Sequence, residues 1–276
     1  MSETDRPDAS WVPRLPTVNA PYVDPAFPDT TRTRVEPAYE VQVHGNAHPV
    51  VLCCEHAGNA LPDGLQWGED AWLSDDHWAW DPGAALATRE LAERLQTRAV
   101  LSRVSRLVID ANRPLYSETL FRTHADGRLI QLNAGLTDRD RGARVAEWWV
   151  PYHAALGSMC ADAARRDADI LLSMHSFNPI YEGDVREVEL GVLFDEEEAL
   201  GQAMLDALAP SGLVLRANEP WSGKGGMMFS CWTHARRHGL RALELEIRND
   251  LLADPERRAF ILDHIVRALA EVSPGA

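Results

Sequence analysis

Val50-Val51-Leu52-Cys53-Cys54-Glu55-His56-Ala57-Gly58-Asn59 is a run of apolar and small residues that stops at an acid, an imidazole and a glycine. Five β-prone or small residues in succession predict a strand buried on both faces, as in a parallel sheet covered by helices. His56 then stands where the strand ends. In open α/β sheets that carboxyl edge is where ligands bind, so a polar pair delivered there is a site candidate. An imidazole that only caps the strand end by hydrogen bonding fits the same stretch. Other strands ending the same way would favour the site.

They do. Residues 169–174 form a second short apolar run, and it ends in His175-Ser176-Phe177-Asn178-Pro179. Residues 242–247 alternate as a strand carrying Glu244 and Glu246. Residues 100–109 predict one or two strands bearing Ser105 and Arg106, stopped by Asp110-Ala111-Asn112-Arg113-Pro114. Further strands are expected at 39–43, 190–194 and 213–215. Between them lie helical patterns. One follows Asp81-Pro82-Gly83, where Asp81 suits an N-cap and Pro82 the first helical position. Another covers 139–166 with a break at Pro151, a third follows Asp195, and the last is capped by Asp254, with Ile261, Leu262, Ile265 and Leu269 on one face. Residues 115–138, with Arg122, suit a long loop over a site mouth. Residues 223–228 are glycine-rich without the spacing of a phosphate loop. Alternation of strand and helix with no internal repeat predicts an α/β fold, a three-layer sandwich with a mostly parallel central sheet. Residues 39–276 then make one domain, and residues 1–38, rich in Pro, Asp, Thr and Arg, an extended arm.

Composition narrows the partners. Forty-two acidic against 27 basic side chains give a formal charge of -15 over 276 residues, which repels phosphate backbones and argues against a general nucleic-acid binder. A small-molecule substrate is the simpler expectation. Four cysteines, two adjacent in one strand, form neither a disulfide framework nor a paired metal motif, which suits a reducing, cytoplasmic setting. No apolar run approaches the roughly 20 residues that span a bilayer, so no membrane partner is expected.

The strand ends supply a chemistry. Two neutral imidazoles, His56 and His175, with a carboxylate or water suit a catalytic zinc that keeps an open position. A carboxylate that is not a ligand, Glu246, can take a proton from water. Asn112 and Arg113 can grip a substrate carboxylate through parallel hydrogen bonds. For the third ligand Asp81 competes with its own N-cap role, and Glu55 stands behind it because neighbours on a strand diverge. Arg106 is a candidate for the charge of a tetrahedral intermediate, and Arg144 and Tyr181 for substrate contacts. Each residue also has a plainer reading: His175 as a buried hydrogen-bonding group, Arg113 bracing Asp110, Glu246 pairing with Arg248, and Arg106, Arg144 and Tyr181 as structural or solvated groups.

Five stretches, Cys54-Glu55-His56-Ala57-Gly58-Asn59, Trp80-Asp81-Pro82-Gly83-Ala84, residues 105–114, His175-Ser176-Phe177 and Leu245-Glu246-Ile247-Arg248-Asn249-Asp250-Leu251, together resemble the N-formylglutamate amidohydrolases across roughly residues 49–272. That family is related to the zinc carboxypeptidases and aspartoacylases. The resemblance implies a zinc-carboxypeptidase-like (phosphorylase/hydrolase-like) fold, His56 and His175 as ligands of zinc or another divalent metal, Asn112 and Arg113 as carboxylate clamp, and Glu246 as general base. The chain departs from the carboxypeptidase His-x-x-Glu pair, since Asn59 stands three residues after His56. The expected activity is hydrolysis of the N-acyl bond of a small N-acylated amino acid, with N-formyl-L-glutamate leading. Its rivals are the same chemistry on another acyl amino acid or short peptide, and a non-enzymatic protein that holds a carboxylate.

Overall fold

A computed structural model of the chain describes residues 32–273. Of the expected N-terminal arm, residues 1–31 lie outside the described residues. The rest of it enters the sheet: β1 (Arg32–Val35) pairs antiparallel with β2 (Tyr39–Val43). In chain order there follow β3 (Val50–Cys54), α1 (Ala84–Arg94), β4 (Arg98–Ser102) and a short hairpin of β5 (His124–Ala125) and β6 (Arg128–Leu129). Next come α2 (Asp138–Arg144), α3 (Val150–Ala164), β7 (Ile170–Phe177), a second hairpin of β8 (Ile180–Tyr181) and β9 (Asp184–Val185), and β10 (Leu190–Leu193). The chain closes with α4 (Glu198–Leu208), β11 (Leu215–Ala217), α5 (Phe229–His238), β12 (Arg241–Arg248), α6 (Asn249–Ala253) and α7 (Pro255–Val272).

Eight strands form one sheet in the order β1-β2-β4-β3-β7-β12-β10-β11. Its centre, β4, β3, β7 and β12, is wholly parallel, while β2 and β10 run antiparallel to their inner neighbours. Strand alternation sorts the apolar side chains onto two faces. Val50, Leu52, Cys54, Leu172 and Leu245 pack with α1, α4 and α7, whereas Val51, Cys53, Leu171 and Ala242 pack with α3 and α5. Cys53 and Cys54 therefore belong to opposite layers, and the structure is the expected three-layer sandwich. Leu52, Leu172 and Leu245 are fully buried, and truncating any one to Ala would cost about 2–5 kcal/mol. Among the described residues no helix is long and apolar enough to cross a membrane.

Several elements end earlier or later than their local sequence predicts. β4 stops at Ser102, and residues 103–110 run as turns held by Ser105, whose hydroxyl donates to the Ala79 carbonyl and accepts from the Leu107 N–H. β7 runs through His175 to Phe177 instead of stopping before it. α4 begins at Glu198, so Asp195 is not its cap. The most consequential shift is at α1. Its first flanking residue is Gly83, at φ 86°, and the helix starts at Ala84. A Cβ at Gly83 would also meet the Leu252 side chain at 2.8 Å, so both backbone conformation and space demand glycine there. That placement frees Asp81 from the helix. Pro151 lies in the first turn of α3, and the chain just before it widens into a π turn, Val145–Trp149.

Candidate active site

Register brings the site together. Across the parallel centre Ser173 faces Cys53 on β3 and Glu244 on β12, and His175 faces Glu246. Side chains two residues apart share a face, so Glu55, His175 and Glu246 form the next row, at the carboxyl edge of the sheet. The Ser173 hydroxyl donates to Glu55 Oε2 at 2.6 Å, fixing the first of these. His56 has already left the strand. Its carbonyl accepts from the Asp81 N–H at 2.9 Å, which folds the Asp81 loop back over the strand end. Gly58 permits this exit, because a Cβ there would lie 2.2 Å from the Arg103 carbonyl oxygen.

The two imidazoles meet. His56 Nδ1 and His175 Nδ1 are 3.2 Å apart, and Asp81 Oδ2 lies 2.8 Å from His175 Nδ1 and 3.5 Å from His56 Nδ1. Each ring turns its other nitrogen to a carboxylate: His56 Nε2 to Asp110 Oδ1 at 2.8 Å, and His175 Nε2 to Glu55 Oε2 at 3.2 Å. With the N–H groups assigned to those outer carboxylates, two bare lone pairs and a carboxylate oxygen converge on one point. Such a convergence is stable only around positive charge. A tetrahedral cation with bonds of about 2.0–2.1 Å needs ligand atoms roughly 3.3 Å apart, and imidazole ligands ordinarily give their second N–H to a carboxylate. The residues present therefore fit a divalent cation held by His56, Asp81 and His175, a group that also meets as a set of three potential ligands. A second such set, His175 with Glu244 and Glu246, shares His175.

Electrostatics point the same way. Glu55, Asp81, Asp110, Glu244 and Glu246 are all buried around the two rings, and among the described residues the guanidinium within ion-pair distance of this group is Arg106, 2.9 Å from Asp110 Oδ2 and 3.7 Å from Asp81 Oδ1. Burial resists the ionisation of Glu55, but bonds and charge from His175 and the Ser173 hydroxyl outweigh it and bring its pKa down to about 2. Asp81 and Asp110 are likewise held well below the ordinary range against their burial, Asp81 by His56 and His175 and Asp110 by Arg106 and His56. Burial raises Glu244, and it raises Glu246 further, with the Asp81 and Glu244 charges adding to it. His175 is pushed well above the usual imidazole value, because Glu244, Asp81 and Glu55 overcome its burial. The pocket thus favours a positive charge at its centre, whether a proton or a metal carries it.

The remaining predicted residues divide into those the fold gathers and those it uses elsewhere. Asn112 is buried and its Oδ1 accepts from the Ser230 N–H at 3.0 Å, at the start of α5, which leaves Nδ2 to donate elsewhere. Arg113 is half-buried, with Nη1 on the carbonyls of Asn112 and Met227, and its own carbonyl accepts from Trp149 Nε1. The brace on Asp110 is Arg106, not Arg113. Arg248 pairs with Asp250 and Glu189, so Glu246 is free of it and keeps Oε2 buried without a hydrogen-bond partner. Arg144 is buried and spends its donors on the Val108 and Leu132 carbonyls and Asn133 Oδ1, bracing the 107–133 loops instead of facing the cluster. Tyr181 stands on the β8–β9 hairpin beside His77 and Trp221. Reading the sequence alone missed Asp110 as the partner of His56 and Glu244 as a neighbour of His175, and it offered Glu55 only as a reserve third ligand, whereas that carboxylate meets the outer nitrogen of His175. Two acids at alternate positions of an otherwise apolar strand were the available signal for Glu244. A cavity of about 520 Å³ lined by Arg186, Glu187, Val188, Arg216, Glu219 and Pro220 lies to one side, and no member of the cluster lines it.

Comparison with known proteins places the chain. Residues 48–253 match the family model described as N-formylglutamate amidohydrolase. A gene product from Agrobacterium tumefaciens of known crystal structure is 33% identical and superposes with a TM-score of 0.75, over 84% of this chain and 95% of that one. The crystal structure of an N-formylglutamate amidohydrolase from Ralstonia eutropha JMP134 is similar in fold at 18% identity, with a TM-score of 0.65 over 85% of this chain and 97% of that one. Curated protein sequences gave no significant match.

Proposed function

The chain belongs to the N-formylglutamate amidohydrolase family, and we propose that it hydrolyses the N-acyl amide bond of a small N-acylated amino acid, with N-formyl-L-glutamate, split to formate and L-glutamate, as the leading substrate. One observation carries this reading: His56 Nδ1, His175 Nδ1 and Asp81 Oδ2 lie within 3.5 Å of one another at the carboxyl edge of the sheet. Beside them Glu246 is buried with a free oxygen.

We assign His56, Asp81 and His175 as ligands of a divalent cation, for which zinc suits the donor set. Bound there, it would lower the pKa of a water and polarise the acyl carbonyl. Glu246 takes a proton from the attacking water as the new carbon–oxygen bond forms, and returns it to the amine nitrogen as the carbon–nitrogen bond breaks. Its burial keeps its affinity for that proton high between the two steps. Asp110 and Glu55 hold the outer nitrogens of His56 and His175, fixing tautomer and ring orientation. Arg106 positions Asp110 and places positive charge beside the developing oxyanion. Asn112, with its oxygen anchored on Ser230, turns its NH₂ toward a substrate carboxylate, and Arg113 supplies the charge partner. Tyr181 borders the acyl amino acid from the hairpin side.

The test is formate release from N-formyl-L-glutamate, run beside N-acetyl-L-glutamate and a glutamyl dipeptide, before and after chelator. We expect the formyl substrate to be hydrolysed, chelation to abolish the rate and added zinc to restore it. Hydrolysis of none of the three would overturn the activity, and full activity in chelator would overturn the cation assignment.

A further inference from the structure

Besides Arg113, two further guanidinium groups near the site lack a carboxylate among the described residues. In a chain with 42 acidic residues, Arg122 and Arg186 make no ion pair among the described residues, while Arg89, Arg98, Arg241 and Arg258 each have one. They rest on aromatic faces instead. The Arg186 guanidinium carbon lies 4.5 Å from the centroid of Tyr181 and 4.7 Å from that of Trp221, and the Arg122 carbon lies 5.1 Å from Trp78. These rings join: Trp221 meets Tyr181 at 5.3 Å, Tyr181 meets His77 at 6.3 Å, and His77 meets Trp78 at 5.0 Å. The result is an aromatic wall with a planar cation at each end.

The wall is rooted in the cluster. Trp78 precedes Asp81 by one turn of chain, the Tyr181 hairpin leaves β7 just past His175, and a 2.8 Å contact between Asn178 Nδ2 and His77 Nδ1 ties the two roots together. Burial lowers the pKa of both guanidinium groups. Glu246 pulls the other way on Arg186, and the charges of Arg106 and Asp110 act on Arg122. Trp78 Nε1, Trp80 Nε1 and His77 Nε2 are buried without a hydrogen-bond partner. A guanidinium stacked on a ring keeps its in-plane N–H donors available, and a carboxylate is the ligand those donors match.

Resting on the amidohydrolase reading, we propose that Arg186, with Arg122 across the wall, is the specificity-determining group for a second carboxylate. The dicarboxylic substrate of that reading would then place its α-carboxylate on Asn112 and Arg113 and its side-chain carboxylate on Arg186. The test compares N-formyl-L-glutamate with its neutral isostere N-formyl-L-glutamine in the wild type, Arg186→Met and Arg122→Met. The wild type should favour the dicarboxylate, and Arg186→Met should reduce that preference by ~10- to 100-fold, mainly through KM. Arg122→Met should reduce it less. Hydrolysis of neither substrate by the wild type sinks the underlying reading. Hydrolysis of both with equal kcat/KM, or a preference untouched in Arg186→Met, sinks this proposal alone. Because Arg186 also packs the hairpin, inhibition of the wild type by glutarate and by butyrate gives a second measure that needs no variant. Glutarate should bind at least ~10-fold tighter, and equal inhibition would overturn the assignment.

Discussion

The molecule buries two pairs of touching imidazoles. His56 and His175 meet at 3.2 Å at the sheet edge, and His153 and His234 meet at 3.0 Å between α3 and α5. All four rings are at most 2% exposed, yet the pairs are opposite in kind. His153 Nε2 donates to the Ala111 carbonyl, so its Nδ1 accepts from His234 Nε2–H, and His234 Nδ1 is left as a bare acceptor without a partner. Every N–H of that pair has an acceptor while both rings stay neutral. Burial brings the His153 pKa down to about 4, and burial together with the His153 and His238 charges lowers His234 as well. At the other pair the same tautomer logic fails, because Asp110 and Glu55 take the outer N–H groups and Asp81 adds a third acceptor to the centre. Contact between histidines does not make a cation site. What makes one is the ring of carboxylates, which turns lone pairs inward, where they are stable only around positive charge.

The largest expected contrast is in rate. His175→Ala should remove activity on the order of 10³-fold or more together with cation binding, whereas His234→Ala should leave the bound cation in place. A rate that survives His175→Ala would erase the distinction between the pairs. Next, Glu246→Gln should slow the reaction by about 10²- to 10⁴-fold while cation content, read by elemental analysis, stays at the wild-type level. An unchanged rate would remove Glu246 as the proton carrier.

The neutral pair should show itself in acid. Its folded-state pKa values lie below the unfolded value of 6.5, so on acidification the unfolded chain binds protons first. The stability these rings contribute is therefore complete above about pH 6.5 and is lost as pH falls, for His153 through about 4. For His153 the loss is about 3 kcal/mol. Urea unfolding of the wild type and His153→Asn at pH 7 and pH 4.5 reads it as a difference of differences, and equal acid sensitivity in the two proteins would show that His153 is not the source.

The smallest effect concerns orientation. Asp110→Asn keeps an acceptor for His56 but weakens its charge and its hold by Arg106. Cation affinity or kcat/KM should fall about 10- to 100-fold, measured by chelator competition and steady-state kinetics. No change in either would leave Asp110 a purely structural group.

The strands that build this site were legible because their information is local. Val50–Cys54 announces a strand buried on both faces, the run before His175 a short apolar strand, and the stretch around Glu246 a strand by its alternation; parallel register then fixes that His175 and Glu246 are neighbours. Asp81 was harder. Asp-Pro-Gly before a helical pattern satisfies the N-cap rule on its own, and only the left-handed Gly83 packed on Leu252 moves the helix start and releases the carboxylate. Glu55 was discounted because strand neighbours diverge, but it keeps the row of Cys53 while His56 has left β3, which ends at Cys54, so the two approach His175 from its two nitrogens. Arg144 was misread because nothing local to α2 reveals that the Val108, Leu132 and Asn133 oxygens will converge on it. Arg186 was silent, and Arg122 was legible only as part of a loop over the site mouth, for a related reason: their convergence on one aromatic wall is set by two loops far apart in sequence.

Calorimetric titration of the metal-stripped protein with zinc, in the wild type, His175→Ala and His234→Ala, tests the central claim most directly. The account predicts one cation per chain in the wild type and in His234→Ala, and none in His175→Ala. A wild type that takes up no cation, or a His175→Ala protein that binds it as tightly as the wild type, would contradict it.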